Sequence, residues 1–300
     1  MIGYLLHIFI FFCIYATAGF GLSVAVGYGG FFTMAQAAFF AIGCYAYALG
    51  TTAWGLGIGM SLLIAIGLAS VSSLSLSMAA WRLKGDFFIM GSLAIQSLIL
   101  SVMNNSYRDG YSIGTLHNLT NGPSGIAGIP RPVIFGIVFD TEELMAALAG
   151  LILLAALCYF RLVLASPWGR VITAMRDDEL AARSLGKNVK LLKLEVFFVS
   201  SVAAAVAGVI FASYLGYVDP ALASLDQSVL MLSMVIVGGL GSLRGTLLGA
   251  ALLILVPEIL RYANFPDQIA SSLRLMAYGL LLVLMMHWRP QGIWGRFKVN

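Results

Sequence analysis

The N-terminal part of the chain contains no residue with a formal charge, since no Asp, Glu, Lys or Arg precedes Arg82. Water does not solvate so long an apolar segment, whereas the hydrocarbon of a lipid bilayer accommodates it. The whole chain follows this trend: 60% of its 300 residues are hydrophobic and 10% are charged, while about a quarter of the residues in soluble domains are charged. The sequence therefore predicts a polytopic membrane protein.

Apolar runs in the sequence have the length, about 20 residues, that a helix needs to cross the hydrocarbon. We expect an all-α polytopic fold with about nine transmembrane helices, in a range of about eight to ten, in one transmembrane domain over residues 1–300. The segment 227–241 is short and is a candidate for a broken or re-entrant helix. The predicted spans are 5–26, 29–50, 56–80, 87–104, 144–164, 195–215, 227–241, 243–262 and 269–288.

Basic residues indicate how the spans are oriented, because Lys and Arg are enriched in cytoplasmic loops. The segment 161–193 is the most basic, which predicts a cytoplasmic loop at 165–194 and an extracytoplasmic loop at 105–143. Nine crossings then place the N-terminus outside and the C-terminus in the cytoplasm. Because the basic residues are explained by membrane topology, the net charge of +4 does not indicate nucleic-acid binding. The basic residues of this segment are Arg161, Arg170, Arg176, Arg183, Lys187, Lys190 and Lys193.

The outer loop 105–143 contains the sequence "LTNGPSGIAGIPRP", which is rich in turn-forming residues. Such a loop is either a disordered connection or a folded cap. Its apolar residues Ile126, Ile129, Val133 and Phe135 favour a packed cap.

Two glycine clusters fall in apolar segments, "VGYGG" at 26–30 and "VGGLG" at 237–241. Small residues allow helix backbones to approach closely, so helix packing is the simpler interpretation of these clusters. Helix packing is also the simpler interpretation of Gly241, Gly245 and Gly249, whose four-residue spacing would place them on one helix face. Broken helices that line a transport path are the alternative. The residues of these clusters that are candidates for such a path are Gly29, Gly30, Gly238, Gly239 and Gly241.

Ionisable side chains are rare in the predicted spans, where a proton-coupled carrier usually keeps Asp, Glu or His as a relay. Asp86, Glu195 and Glu258 fall near span ends, which disfavours proton coupling but leaves sodium coupling open. The sequence contains no recognisable nucleotide or metal motif, and no convergent polar residues that would indicate a membrane enzyme.

The sequence "AMRDDELAARSLGKN" at 174–188 concentrates charge in an otherwise apolar chain. Ser166 and Pro167 form a favourable helix start, Gly186 a favourable stop, and Glu179 and Arg183 a favourable i,i+4 pair. We therefore expect helix within this loop. One interpretation is a solvated loop whose basic residues only fix the membrane topology, but such a loop needs no acidic cluster. The alternative is a mixed-charge helix that binds a cytosolic partner.

The sequence resembles the permeases of branched-chain amino acid ABC transporters, and more narrowly their M-type (LivM) subunit. The resemblance rests on six ordered blocks over about residues 20 to 295: "VGYGGFFTMAQAAFFAIGCYAYAL", "WRLKGDFFIMGSLAIQSLI", "LTNGPSGIAGIP", "SPWGRVITAMRDDELAARSLGKNVKLLKLEVFFVSSVAAAVAGVIFA", "MLSMVIVGGLGSLRGTLLGAALL" and "WRPQGIWG". Asn121, Arg244 and Thr246 depart from the family pattern in the outer loop and an inner turn.

The resemblance implies a type II ABC importer-like permease bundle in a bacterial or archaeal cytoplasmic membrane. It implies four kinds of partner: two cytosolic ATP-binding subunits, which would hold ATP and Mg, a second (H-type) permease subunit, an extracytoplasmic solute-binding protein, and the lipid bilayer. This chain would then bind no cofactor or metal itself and would not be an enzyme. The family's coupling helix maps onto Arg176, Asp177, Asp178, Glu179, Leu180, Ala181, Ala182, Arg183 and Gly186.

Alternating access through a neutral path is the mechanism that the resemblance implies. Gln36 is a further candidate for the path, although a hydrogen bond between helices is the simpler role. A neutral lining suits branched-chain and other hydrophobic amino acids, and it also suits urea or short amides, which related permeases carry. A secondary carrier or channel without an ATPase is the other alternative.

Overall fold

The computed structural model describes residues 2–108, 110–115, 117–134, 136–262, 273, 276, 279–280, 283–285, 287 and 291–295. The predicted span 269–288 therefore lies largely outside the described residues. The described chain is mostly helical. Its helices are α1 (Ile2–Leu22), α2 (Gln36–Thr52), α3 (Ile58–Arg82), α4 (Asp86–Asn105), α5 (Glu142–Ala165), α6 (Pro167–Asp177), α7 (Glu179–Ser184), α8 (Val189–Leu215), α9 (Leu225–Gly238) and α10 (Leu243–Tyr262).

Within the described residues, 5 helical segments are long and apolar enough to cross a bilayer. The multi-span prediction is confirmed, while the count of nine is not. The helices α2 and α9 are shorter, with 17 and 14 residues, and the shortness of α9 agrees with the short segment expected at 227–241. The 5 segments are Gly3–Tyr28, Ile58–Arg82, Asp86–Asn105, Glu142–Ala165 and Val189–Leu215.

The helix α8 occupies the centre of the bundle and contacts α1, α2 and α3 along its length. Of its most apolar window 78% is buried, against 17% for α5, so α5 lies at the periphery. The interface between α8 and α2 depends on glycine. A Cβ atom on Gly208 of α8 would lie 2.1 Å from the Phe40 carbonyl oxygen, and one on Gly43 of α2 would lie 2.2 Å from the Ala205 oxygen. Small residues thus bring the two backbones into direct contact.

The chain leaves helical geometry between α1 and α2. A π-helical turn, Ser23–Tyr28, continues α1, and Gly30 then has a φ of +76°, which a helix cannot contain and which glycine adopts without a steric penalty. Because α2 begins only at Gln36, the predicted span 29–50 began too early.

The outer loop is folded and contains short strands, which corrects the all-α prediction. The strand β1 (Ile126–Ala127) pairs antiparallel with β4 (Tyr217–Val218), and β2 (Val133–Ile134) pairs with β3 (Ile137–Val138). Ile126 and Ile129 are buried as expected for a packed cap. The prediction was wrong for Val133, which is exposed because the two-residue strands of β2 and β3 pair only with each other; Phe135 lies outside the described residues.

Asn121 takes a conformation that usually requires glycine. Its φ is +60°, the only positive value among the described non-glycine residues, and asparagine tolerates this left-handed region better than other side chains. Its side-chain amide donates to the Gly125 carbonyl oxygen at 2.7 Å. The departure from the family pattern at this position therefore leaves the turn intact.

Candidate coupling site

The predicted helix in the charged loop is present, but it is divided in two. Pro167 occupies the first turn of α6 as expected, while the Ser166 hydroxyl donates to the Val163 carbonyl oxygen at 2.6 Å and makes no cap. Asp178 interrupts the helix: its carboxylate accepts the backbone N–H groups of Leu180 and Ala181 at 2.8 and 3.0 Å. An acidic N-cap of this kind starts a new helix, α7.

Arg176 connects α6 to the distorted end of the first transmembrane helix. Its Nη1 atom donates to the Gly27 carbonyl oxygen at 2.6 Å, and a Cβ atom on Gly30 would lie 2.8 Å from the Arg176 Cγ atom. Burial lowers the pKa of the guanidinium, an effect that the neighbouring Asp177 partly offsets, and arginine stays charged regardless. The contact is therefore a charge-assisted hydrogen bond that joins the charged loop to the end of the first transmembrane segment.

Lys193, in the second turn of α8, holds α7 against the membrane domain. Its ammonium group donates to the Ala80 carbonyl oxygen at 3.0 Å, forms an ion pair with Glu179 at 3.2 Å and lies 5.4 Å from the centre of the Phe31 ring. The Lys193 side chain is 4% exposed and that of Glu179 22%, so the pair is shielded from water. Removing the Glu179 carboxylate would leave the Lys193 ammonium group buried without an anion.

A small apolar cluster supports the same contact. Met175 of α6, Ala182 of α7 and Val189 of α8 are buried together against Phe31 and Leu192. The inner side of the loop is thus packed on the membrane domain by apolar and ionic contacts at once.

The outer side of the same helices carries the remaining predicted residues. Asp177, Asp178, Ala181, Arg183 and Gly186 are exposed, and Arg183 also pairs with Glu179 as expected. Gly186 has a φ of +75° and ends α7. Leu180 and Leu185 are 71% and 79% exposed.

The structure therefore divides the predicted coupling residues into two groups. Arg176, Glu179 and Ala182 face the membrane domain, and the others face solvent. From the sequence, Lys193 was assigned only to topology, and neither Phe31 nor the Gly27 carbonyl group was assigned to this site. A lysine within the first two turns of an apolar span was the available signal for Lys193, because the membrane interior disfavours a charge without a partner.

The two predicted glycine clusters lie against each other. A Cβ atom on Gly27 would lie 2.5 Å from the Gly241 nitrogen, so the end of the first transmembrane segment contacts the turn between α9 and α10. Gly29 is also tightly enclosed, since its Cβ would lie 2.8 Å from the Ala25 oxygen. We call this contact of Gly27 and Gly241, with the carbonyl group that Arg176 binds, the glycine junction.

The second cluster also packs backbone on backbone. A Cβ atom on Gly238 would lie 2.1 Å from the Gly245 oxygen, and one on Gly249 would lie 2.0 Å from the Met234 oxygen, so these residues join α9 to α10. Gly239 has a φ of +117° and contacts Gly295. The simpler interpretation, close helix packing, describes Gly245 and Gly249, while Gly241 lies in the turn before α10.

Gln36 lies in the interface of three helices. Its amide nitrogen donates to the Ala18 and Ser200 carbonyl oxygens at 3.1 and 3.4 Å, and its amide oxygen accepts the Ser200 hydroxyl at 2.9 Å. The side chain is 1% exposed. Both ends of the amide are thus used to join α2 to α1 and α8, which is the simpler of the two roles expected for Gln36.

Glu179 makes the packing of α7 on the membrane domain depend on pH. Burial raises the pKa of this carboxyl, but the attraction and hydrogen bond of Lys193, with smaller contributions from Arg183 and Lys84, bring the pKa below its usual value of 4.5. A carboxyl whose pKa is lower when α7 is packed on the membrane domain stabilises this packed form at pH values above the pKa that the carboxyl has when α7 is detached. That stabilisation is lost as the pH falls through the pKa that Glu179 has in the packed form.

We therefore expect α7 to resist proteolysis between Asp177 and Asn188 at neutral pH and to become cleavable by an acid-active protease as the pH falls below 4.5. Glu179→Gln should expose the segment at every pH, because it removes the titrating group. Asp177→Asn, on the exposed side, is the matched control and should keep the wild-type profile. An unchanged profile in Glu179→Gln would contradict the assigned ion pair.

Comparison with known proteins places the chain in a family. The family described as "Branched-chain amino acid transport system / permease component" matches residues 4–286. The chain is 32% identical over 304 residues to the high-affinity branched-chain amino acid transport system permease protein LivM of Escherichia coli (strain K12), covering 93% of this chain and 67% of the relative. No solved structure matches the chain significantly.

Two further relatives match shorter stretches of the chain. The probable branched-chain amino acid transport permease protein LivM of Methanocaldococcus jannaschii is 25% identical over 219 residues, which cover 70% of this chain and 63% of that protein. The autoinducer 2 import system permease protein LsrC of an Enterobacter species is 30% identical over 149 residues, 48% of this chain and 41% of that protein. The chain therefore belongs to the family of branched-chain amino acid transport system permease components.

Proposed function

We propose that this chain is the M-type permease subunit of an ATP-driven ABC importer for branched-chain and other hydrophobic amino acids. Family membership over residues 4–286 carries the proposal. The relatives that cover most of the chain are named as branched-chain amino acid permeases. In this proposal the chain is a multi-pass protein of the bacterial or archaeal cytoplasmic membrane, with its N-terminus outside and its C-terminus in the cytoplasm.

The partners in this proposal are two cytosolic ATP-binding subunits, an H-type permease subunit and an extracytoplasmic solute-binding protein. ATP and Mg belong to the ATP-binding subunits, and this chain supplies the path. The exposed side of α6 and α7 is the part of this chain that would contact an ATP-binding subunit. Two exposed leucines beside acidic and basic groups support this assignment, because a partner would bury the apolar area and neutralise the charges.

A route for coupling follows from the contacts of Arg176. When an ATP-binding subunit moves α6, the hydrogen bond from Arg176 carries the motion to the Gly27 carbonyl group. The glycine junction then transmits it to the turn between α9 and α10, where Gly239 and Gly241 hold conformations that glycine adopts easily. Both broken segments would thereby change together, as alternating access requires.

Reconstitution tests the proposal directly. The chain, its H-type partner, the two ATP-binding subunits and the binding protein are placed in proteoliposomes, and uptake of radiolabelled leucine is measured with and without ATP. We expect ATP-dependent accumulation against the gradient, with valine and isoleucine as competitors. Competition by urea or acetamide alone would favour the amide alternative. Accumulation that a nonhydrolysable ATP analogue leaves unchanged would contradict ATP-driven import.

The two exposed leucines provide a test of the docking surface. We expect Leu180→Ala and Leu185→Ala each to reduce retention of the ATP-binding subunits about tenfold, because burying a leucine contributes roughly 1.5 kcal/mol or more. Retention is measured by affinity purification of the chain from detergent and quantification of bound ATPase. Leu162→Ala is the control, since Leu162 is 73% exposed but lies on the peripheral α5. Equal retention of the ATP-binding subunits by the wild type and all three variants would contradict the assigned surface.

A further inference from the structure

A cleft outside the coupling site opens between the end of α5 and the start of α10. Its volume is about 540 Å³, which is within the range of small-molecule binding sites. Residues at the end of α5, immediately before Ser166, line one wall, so the cleft lies at the same end of the bundle as α6 and α7. Of the residues on the route proposed for coupling, Gly241 lines the cleft, while Arg176, Gly27 and Gly239 do not.

The charges of the cleft are all positive. Arg161 of α5 and Arg244 of α10 line it, and among the described residues no Asp or Glu does. Within the part of the chain that the structure describes, neither guanidinium forms a hydrogen bond or an ion pair. The N-terminus of α10, a helix of 20 residues, lies at the same place and contributes the positive end of its dipole. The cleft is therefore complementary to an anion.

Apolar side chains of the same two helices also line the cleft. Leu157, Leu164 and Leu247 line it, together with the ring of Trp294, which is 56% exposed. Tryptophan with one apolar and one wet side is typical of the boundary between hydrocarbon and water. A free anion would contact the arginines alone, whereas a molecule with a charged head and an apolar tail would contact both the arginines and the leucines.

We propose that this cleft binds the phosphate head group of an anionic glycerophospholipid from the cytoplasmic leaflet. Arg161 and Arg244 contact the phosphodiester, and the first part of an acyl chain lies along the leucines. Basic pockets between transmembrane helices on the cytoplasmic side are suited to such head groups. Because Gly241 and Ser242 also line the cleft, a bound lipid would contact the turn that forms the glycine junction.

Lipid retention and thermal stability test the proposal on the assembled transporter. The complex is purified in detergent, supplied with phosphatidylglycerol, phosphatidylethanolamine or inorganic phosphate, and followed by native mass spectrometry and by its unfolding midpoint. We expect phosphatidylglycerol to be retained and to raise the midpoint, and the other two to do neither. R161Q/R244Q should retain phosphatidylglycerol about tenfold less, because a hydrogen bond to a charged group contributes a factor of about ten or more.

The matched control is R82Q, which removes an exposed arginine at the end of α3 and should retain the lipid as the unaltered complex does. Equal stabilisation by inorganic phosphate would identify a free anion as the ligand and overturn the lipid assignment. Loss of the H-type or ATP-binding subunits in R161Q/R244Q would show that a protein partner occupies the cleft. Equal retention of both phospholipids in all variants would show that the cleft does not select a charged head group.

Discussion

Replacing Gly208 with valine is expected to abolish folding of the permease. The Cβ atom would lie 2.1 Å from the Phe40 carbonyl oxygen and 3.0 Å from the Cys44 nitrogen. Both neighbours are backbone atoms of α2, so relief requires the whole helix to move away from α8. Inserting extra methylene groups into a well-packed core typically costs about 1–3 kcal/mol, and we expect a clash with backbone atoms, which cannot change rotamer, to exceed that range. The measurement is the monodisperse fraction in detergent by size-exclusion chromatography.

Gly67→Val is the matched control for this substitution. Gly67 also lies within a long membrane helix, α3, but nothing lies within 4 Å of its Cβ position. The same side chain should therefore leave the monodisperse fraction unchanged. A Gly208→Val protein that elutes and unfolds like wild type would show that α2 and α8 do not pack as described.

Arg176→Gln is expected to separate ATP hydrolysis from transport. The substitution removes the charged donor to the Gly27 oxygen, a contact of 2.6 Å, whose contribution is about 1.5–3 kcal/mol. If this bond transmits the motion of α6, the rate of leucine uptake should fall about tenfold or more. The exposed side of α7 is untouched, so the ATP-binding subunits should remain bound and hydrolyse ATP at the basal rate.

Arg170→Gln is the control for the effect of charge alone. Arg170 lies in the same helix, is exposed, and donates only a long hydrogen bond of 3.4 Å to the Ala165 oxygen. It should preserve both uptake and hydrolysis. Loss of ATPase binding in Arg176→Gln would reassign this residue to docking, and normal uptake would remove Arg176 from the coupling route.

The sequence predicted those features that depend on local composition. The helices α3, α4 and α5 lie close to the spans expected at 56–80, 87–104 and 144–164, because hydrophobic length directly reflects the thickness of the bilayer. The turn at Gly186 was predicted for a similar reason, since glycine at a helix end indicates a left-handed residue.

The remaining features depend on contacts between distant parts of the chain. The bond from Arg176 to Gly27 joins residues 149 positions apart, and that from Lys193 to Ala80 joins residues 113 positions apart. No periodicity reports such pairs. The division of the charged loop at Asp178 was missed for another reason: an acidic residue within a helical pattern is compatible with both an exposed position and a cap.

The burial of Lys193 limits how this region can be engineered. The lysine belongs to α8, its anion to α7 and its carbonyl acceptor to α3, so the segment 166–188 is not an interchangeable module. A chimera that receives only residues 166–188 from another permease would have to supply a carboxylate in register with a lysine it did not bring. Grafts intended to redirect this subunit to a foreign ATPase should therefore extend through the opening turns of α8.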